Sequence, residues 1–189
     1  MGDSLLLLFW SDFDNVTCMT RKVAVIQADI TDLGVDVIVN AANEGMRGGG
    51  GVDGAIHRVA GPELVKETVK AAPLYVAETF VTPGYNLKAR YVLHTVGPTY
   101  HYGNSGEYLA LKMCYKNVIE VANDMGAKTL AIPAISAGVF NFPKERAAKI
   151  AVMTAIEESN KYEGIEEVLL VAFDKEMFDL YKAYLKAID

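Results

Sequence analysis

The chain has 189 residues, 51% of them hydrophobic and 22% charged, a balance that fits one packed domain and excludes an extended disordered tail. With 24 acidic against 18 basic side chains the formal net charge is -6, so general nucleic-acid binding is not expected, and any phosphate must be held by local backbone donors. Two cysteines, Cys18 and Cys114, make neither a disulfide framework nor a Cys-x-x-Cys pair, which points to a reduced, cytoplasmic setting.

The apolar run from Leu5 to Trp10 is too short to span a membrane and has no basic region before it. It reads as an added strand or hydrophobic clamp within an N-terminal extension, residues 1–21, ahead of a main domain at 22–189. Alternation in KVAVIQ predicts a strand from Lys22 to Gln27, and VDVIV predicts a second, fully buried one from Val35 to Val39. The segment VDGAIHRVAG reads as a short helix. Strands are then expected at Val76–Thr82 and Ala89–Val96, followed by a helix whose apolar positions include Leu109, Met113, Val118 and Ala122, closed by Gly126. A strand at Thr129–Pro133 leads to a helix started by Pro143, with Ile150, Met153 and Ile156 on its apolar side. A last buried strand, EEVLLVAF, precedes a helix capped by Asp174 and carrying Phe178, Tyr181 and Leu185 inward. Repeated strand–helix units of this kind predict an α/β fold with helices on both faces of a parallel or mixed sheet.

Chemistry concentrates in NAANEGMRGGGGVDGAIH, from Asn40 to His57, directly after a buried strand. Open α/β sheets bind ligands there, beyond the carboxyl ends of their strands. Asn43 is placed for ligand contact, and Asn40 either for that or for supporting the loop. The run Gly48 to Gly51 lets backbone N–H groups turn toward a phosphate, and the N-terminus of the helix behind it adds a favourable dipole and unpaired N–H donors. Asp53 and His57, four apart, share one helix face. Asp53 reads as a ribose acceptor or water-polarising group, or as a first-turn acid, and His57 as its partner or as a structural histidine. A second small-residue loop, Ser136, Ala137, Gly138, Val139 and Phe140, suits phosphate approach, with Phe140 as a stacking wall or a core residue. Asp29 either accepts from an adenine amino group or caps its own turn. A P-loop is excluded because GxxxxGK[ST] is absent. His57, His94 and His101 lack metal-ligand spacing, so no metal or cofactor is called for, and His94 reads as structural.

The motifs ADI at Ala28–Ile30, VIVNAAN at Val37–Asn43, GGGGVDGAIHRVAG at Gly48–Gly61, HTVGP at His94–Pro98 and IPAISAGVF at Ile132–Phe140 together resemble the macro domain family, in its branch of ADP-ribosyl-protein hydrolases and O-acetyl-ADP-ribose deacetylases. The resemblance implies a three-layer α/β/α fold with a mixed sheet of about six strands and an ADP-ribose cleft. It implies that Asp29 and Ile30 hold adenine, that Asn43 binds the distal ribose, and that Gly50, Gly51 and Val52 lie around the diphosphate. Residues Ser136 to Phe140 would close over the ligand. Asn43, Asp53 and His57 would carry hydrolysis of an ester at the distal ribose by water attack. The implied substrates are proteins mono-ADP-ribosylated on acidic side chains, or O-acetyl-ADP-ribose, and the alternative is a non-catalytic reader. Ala28 stands where the branch usually has glycine, and Leu74 and Ala77 where it commonly has cysteine and glycine; these departures bear on local loop shape and protein-substrate preference.

Overall fold

The structure is a computed structural model that describes residues 19–20, 22–103 and 105–188. The expected strand or clamp at Leu5–Trp10 lies outside the described residues. The strands are β1 (Met19–Thr20), β2 (Val23–Gln27), β3 (Val37–Ala42), β4 (Thr79–Pro83), β5 (Tyr91–Val96), β6 (Thr129–Pro133) and β7 (Glu167–Ala172). They form one mixed sheet in the order β1-β2-β7-β6-β3-β5-β4. Strands β2, β7, β6, β3 and β5 are parallel, while β1 and β4 pair antiparallel at the two edges. Every parallel strand therefore ends on the same side, and the loops that follow them converge there.

Side-chain alternation assigns the layers. Val37, Val39, Leu130, Ile132, Val168 and Leu170 pack on one face against α3 (Ser105–Asp124), α4 (Lys144–Ser159) and α5 (Lys175–Lys186). Ala24, Ile26, Ile38, Val92, Leu169 and Val171 face α1 (Gly51–Ala60) and α2 (Pro62–Thr68) through Ile56, Ala60 and Leu64. The result is the three-layer α/β/α architecture, with six strands of five or more residues and the two-residue β1. Strands buried on both faces carry the near-continuous apolar runs seen in β3 and β7. Among the described residues no helix is long and apolar enough to cross a membrane.

Local signals set the boundaries. Gly61, at φ 89°, ends α1 by donating to the His57 carbonyl at 3.1 Å, and Pro62 then opens α2. Asp174 caps α5 by accepting from the Met177 N–H at 2.8 Å, as its sequence position suggested.

Three expectations are corrected. The segment at Val76 is not in a strand: β4 begins at Thr79, and Val76 makes only an isolated bridge to Val96, because Ala77 takes a left-handed φ of 65°. Leu109 is 61% exposed, since α3 faces the sheet through Leu111, Cys114, Val118 and Ala122, and Leu109 falls on the opposite side of the cylinder. Met153 is likewise exposed; α4 lies against the core through Ala147, Ala148, Ala151, Val152 and Ala155, small residues that let helices approach closely.

Candidate active site

The end of β3 and the start of α1 form one hydrogen-bonded unit. Asn40 is fully buried, and its Nδ2 donates to Asp53 Oδ1 at 2.8 Å and lies 3.1 Å from His94 Nδ1. An amide NH₂ has only protons to offer, so His94 Nδ1 accepts and its Nε2–H donates to Thr82 Oγ1 at 3.0 Å. Burial, assisted by the nearby His57, lowers the His94 pKa to about 3 and keeps the ring neutral. Asn43 Nδ2 donates to the Gly48 carbonyl at 3.0 Å and to Asp53 Oδ2 at 3.1 Å, while its Oδ1 accepts from the Gly45 N–H. Both carboxylate oxygens of Asp53 are thus held by asparagines, Asn40 within β3 and Asn43 one residue past its end.

Asp53 is 5% exposed, in the first turn of α1. Burial raises its pKa, opposed by the Asn40 amide and by His57, whose Nε2 lies 3.4 Å from Oδ1. The glycine run fits tightly around this unit. A Cβ on Gly49 would sit 3.2 Å from Asp53 Oδ2, one on Gly48 would meet the His57 ring at 3.2 Å, and one on Gly54 would strike the Gly49 carbonyl. Close approach therefore favours glycine at positions 48, 49 and 54, and a left-handed φ favours it at Gly48 and Gly51. Gly50 caps α1 without a side-chain hydrogen bond, and the first backbone bond of the helix is Gly54 N–H to the Gly50 carbonyl. The N–H groups of Gly51, Val52 and Asp53 precede it, an arrangement that suits an anion.

The loop after β6 lies alongside. Ser136 takes a left-handed φ of 64°, is buried, and its hydroxyl has no hydrogen-bond partner among the described residues. It presses on Gly97, where an added Cβ would collide with Ser136 Oγ. Gly138 and Val139 are exposed, Ala137 is half-buried, and Phe140 packs beside the small cluster of Ala42, Met46, Leu74 and Val96. Leu74 is therefore core packing under the site.

Asp29 stands apart at the end of β2. Its Oδ1 accepts from the Thr31 N–H and hydroxyl at 2.9 and 2.7 Å, so it caps the 3-10 turn Ile30–Asp32 with an exposed carboxylate. Ile30 is buried in the layer below α1.

Beside Asn43 a cavity of about 350 Å³ opens, lined by Asn43, Glu44, Gly45, Val76, Val96, Gly97, Thr99 and Phe140. Among the expected site residues, Asn43 and Phe140 reach it. Asp53 and His57 stand behind, Asp53 joined to the cavity through Asn43. Asn40, entertained as a ligand contact or a loop support, is placed as a support: it has no solvent exposure, and its amide holds Asp53 and His94.

Sequence reasoning missed Val76, Val96, Gly97 and Thr99, which belong to the cavity wall, and it did not single out Phe173, which stands outside that wall. That phenylalanine is 83% exposed, follows β7, and through its carbonyl accepts from Gln27 Nε2 at 3.4 Å, so it neighbours the end of β2 that carries Asp29. Its signal was position: an aromatic one residue past a strand terminus, which the apolar run EEVLLVAF absorbed into the strand.

Residues 39–151 match the family model of the Macro domain. The chain is 45% identical over 165 residues to a macro domain-containing protein of Chlorobaculum tepidum, covering 87% of this chain and 96% of that one. It is 43% identical over 171 residues to an O-acetyl-ADP-ribose deacetylase of Escherichia fergusonii, covering 88% and 97%. The solved structure of a variant Oceanobacillus iheyensis macrodomain with ADP-ribose superimposes with a TM-score of 0.86 at 32% identity, over 92% of this chain and 97% of the other.

Proposed function

Because the chain belongs to the macro domain family, we propose that it binds ADP-ribose across the carboxyl ends of β2, β7, β6 and β3 and hydrolyses an ester at the distal ribose, with O-acetyl-ADP-ribose as substrate. The observation that carries the catalytic reading is Asn43, which lines the cavity and donates to Asp53 Oδ2 at 3.1 Å. It couples a buried carboxylate to the place where the reacting end of the ligand would lie.

In this reading Asp29 accepts from the adenine amino group, the Ile30 backbone assists, and the exposed Phe173 ring lies beside the base. The N–H groups of Gly51, Val52 and Asp53 and the loop Ser136–Phe140 surround the diphosphate, a local donor set that suits a chain of net charge -6. Asn43 takes the distal ribose. Water held at the cavity edge attacks the ester carbonyl, and preorganised donors stabilise the oxyanion. Asp53, with Asn40 and His57 fixing its orientation, holds the Asn43 side chain and the attacking water in register. A raised carboxyl pKa makes it a better base than a free aspartate. The same chemistry would release mono-ADP-ribose from glutamate or aspartate side chains of modified proteins.

One observation favours a second reading, a binding module without turnover. Asp53 is 5% exposed with both oxygens already accepting hydrogen bonds. Incubation of the purified protein with O-acetyl-ADP-ribose and with a mono-ADP-ribosylated glutamate peptide, following ADP-ribose release, separates the two. Release that falls at least about 100-fold in Asp53→Ala and Asn43→Ala is expected. Tight ADP-ribose binding with no release from either substrate would leave the binding module.

A further inference from the structure

The cavity lies past Asn43 on the side away from the adenine end. Asp29 and Phe173 follow β2 and β7, whereas the cavity is walled by the ends of β3 and β5, by Val76 and by Phe140. A ligand laid from β2 toward β3 delivers into it whatever group the distal ribose carries.

We propose that this cavity is an acyl subsite that selects uncharged aliphatic acyl groups longer than acetyl on ADP-ribose esters, a proposal that rests on the ADP-ribose reading above. Three features support it. The first is room: about 350 Å³ is the share of roughly a dozen waters at ~30 Å³ each, more than a sugar edge and one acetyl group fill. The second is the wall. Val96, 2% exposed, Val76 and the Phe140 ring supply an apolar side to the cavity, across from the polar Asn43, Glu44 and Thr99. The third is charge. Glu44 is the sole ionisable residue of the lining, and no lysine, arginine or histidine is there to pair with a carboxylate on the acyl chain. A dicarboxylic acyl group would bring its own anion against three apolar side chains and beside Glu44, which costs binding on both counts.

The reaction is ordinary ester hydrolysis. The water oxygen bonds to the acyl carbon, and the bond from that carbon to the ribose oxygen breaks. The electron pair stays on that oxygen, which takes a proton and becomes the hydroxyl of ADP-ribose, and the acyl group leaves as its carboxylate with release of the other proton. No oxidant or metal enters the balance.

Initial rates on acetyl, propionyl, butyryl and succinyl esters of ADP-ribose, together with calorimetric binding of ADP-ribose itself, test the proposal. Each added methylene is expected to raise kcat/KM about fourfold, so butyryl exceeds acetyl about tenfold or more. Succinyl, with the same four-carbon backbone as butyryl but ending in a carboxylate, is expected to fall at least tenfold below it. Val76→Asn, at a position 41% exposed and so compatible with folding, should lower the butyryl-to-acetyl ratio, and Glu44→Lys should raise the succinyl-to-butyryl ratio. Turnover of acetyl with a flat or falling series, or with succinyl equal to butyryl, overturns the acyl subsite and leaves the deacetylase reading standing. ADP-ribose binding without turnover of any ester overturns both and leaves the binding module; absence of ADP-ribose binding overturns the whole reading.

Discussion

Asn40 Nδ2 donates to Asp53 Oδ1 at 2.8 Å from a side chain with no solvent exposure. A buried carboxylate that loses such a donor keeps its desolvation cost without compensation. Asn40→Ala is expected to cost about 2 kcal/mol of stability in urea denaturation and to reduce ester turnover at least tenfold, while ADP-ribose affinity changes by no more than about threefold. Affinity falling in step with turnover would instead make Asn40 a ligand contact.

His94 makes stability depend on acid. Its native pKa is about 3, below the ordinary 6.5, so between those values the unfolded chain holds a proton that the native state refuses. Stability is therefore intact above about pH 6.5 and is lost as the pH falls toward 3, by about 3 kcal/mol or more. Asp53 acts in the opposite sense: burial raises its pKa, so the native state takes up that proton first, and its cost is relieved as the pH drops through the native value. Replacing His94 with Gln, which can still accept from Asn40, should flatten the acid limb of a stability–pH curve. An unchanged limb would assign the acid sensitivity elsewhere.

Glu167 lies at the start of β7, the end of the sheet away from the site, and its Oε1 is buried without a hydrogen-bond partner among the described residues. Burial pushes its pKa up to about 7 from 4.5. Between these values the native state holds the proton and the unfolded chain does not, so stability falls as the pH rises through that window. The side chain is partly solvated, and screening limits the loss to about 1 kcal/mol. Glu167→Gln should match the wild type near pH 4.5 and exceed it by about that amount at pH 8. Thermal unfolding at the two pH values reads the difference, and equal gains at both would contradict it.

Gly97→Ala tests how closely the two loops must approach. Its Cβ would collide with Ser136 Oγ and with Ile135 Cγ2, forcing the loop after β6 away from the strand end. ADP-ribose affinity is expected to fall at least tenfold, measured by calorimetry, with a smaller change in melting temperature. Unchanged affinity would mean that the Ser136 loop does not set ligand binding.

The backbone plan was legible because apolar alternation and punctuation by Gly61, Pro62 and Asp174 are local signals. The site was legible as a list of polar and glycine residues, but its depth was not. Nothing in the spacing of Asn40 and Asn43 distinguishes the fully buried amide from the one that lines the cavity; that depends on β3 sitting between β6 and β5 and on α1 folding back over it. His94 reads as structural in sequence and is so placed, yet its link to Asp53 through Asn40 needs residues 54 and 13 positions apart to meet. Leu109 and Met153 were misplaced because hydrophobicity alone does not choose among the faces of an apolar helix; the alanines of α4 and the pair Cys114 and Val118 of α3 do.

The strand order also makes the sheet a ruler. From β2, with Asp29 two residues past its end, to β5, with Gly97 one residue past its end, there are four steps between neighbouring strands. At about 4.8 Å each this is roughly 19 Å. On the proposed ADP-ribose reading a ligand must be that long to touch both ends at once, so adenosine monophosphate and a lone ribose phosphate would each reach one end. Only a molecule that joins the two through a diphosphate gains from both, as a tethered pair gains over its separate halves.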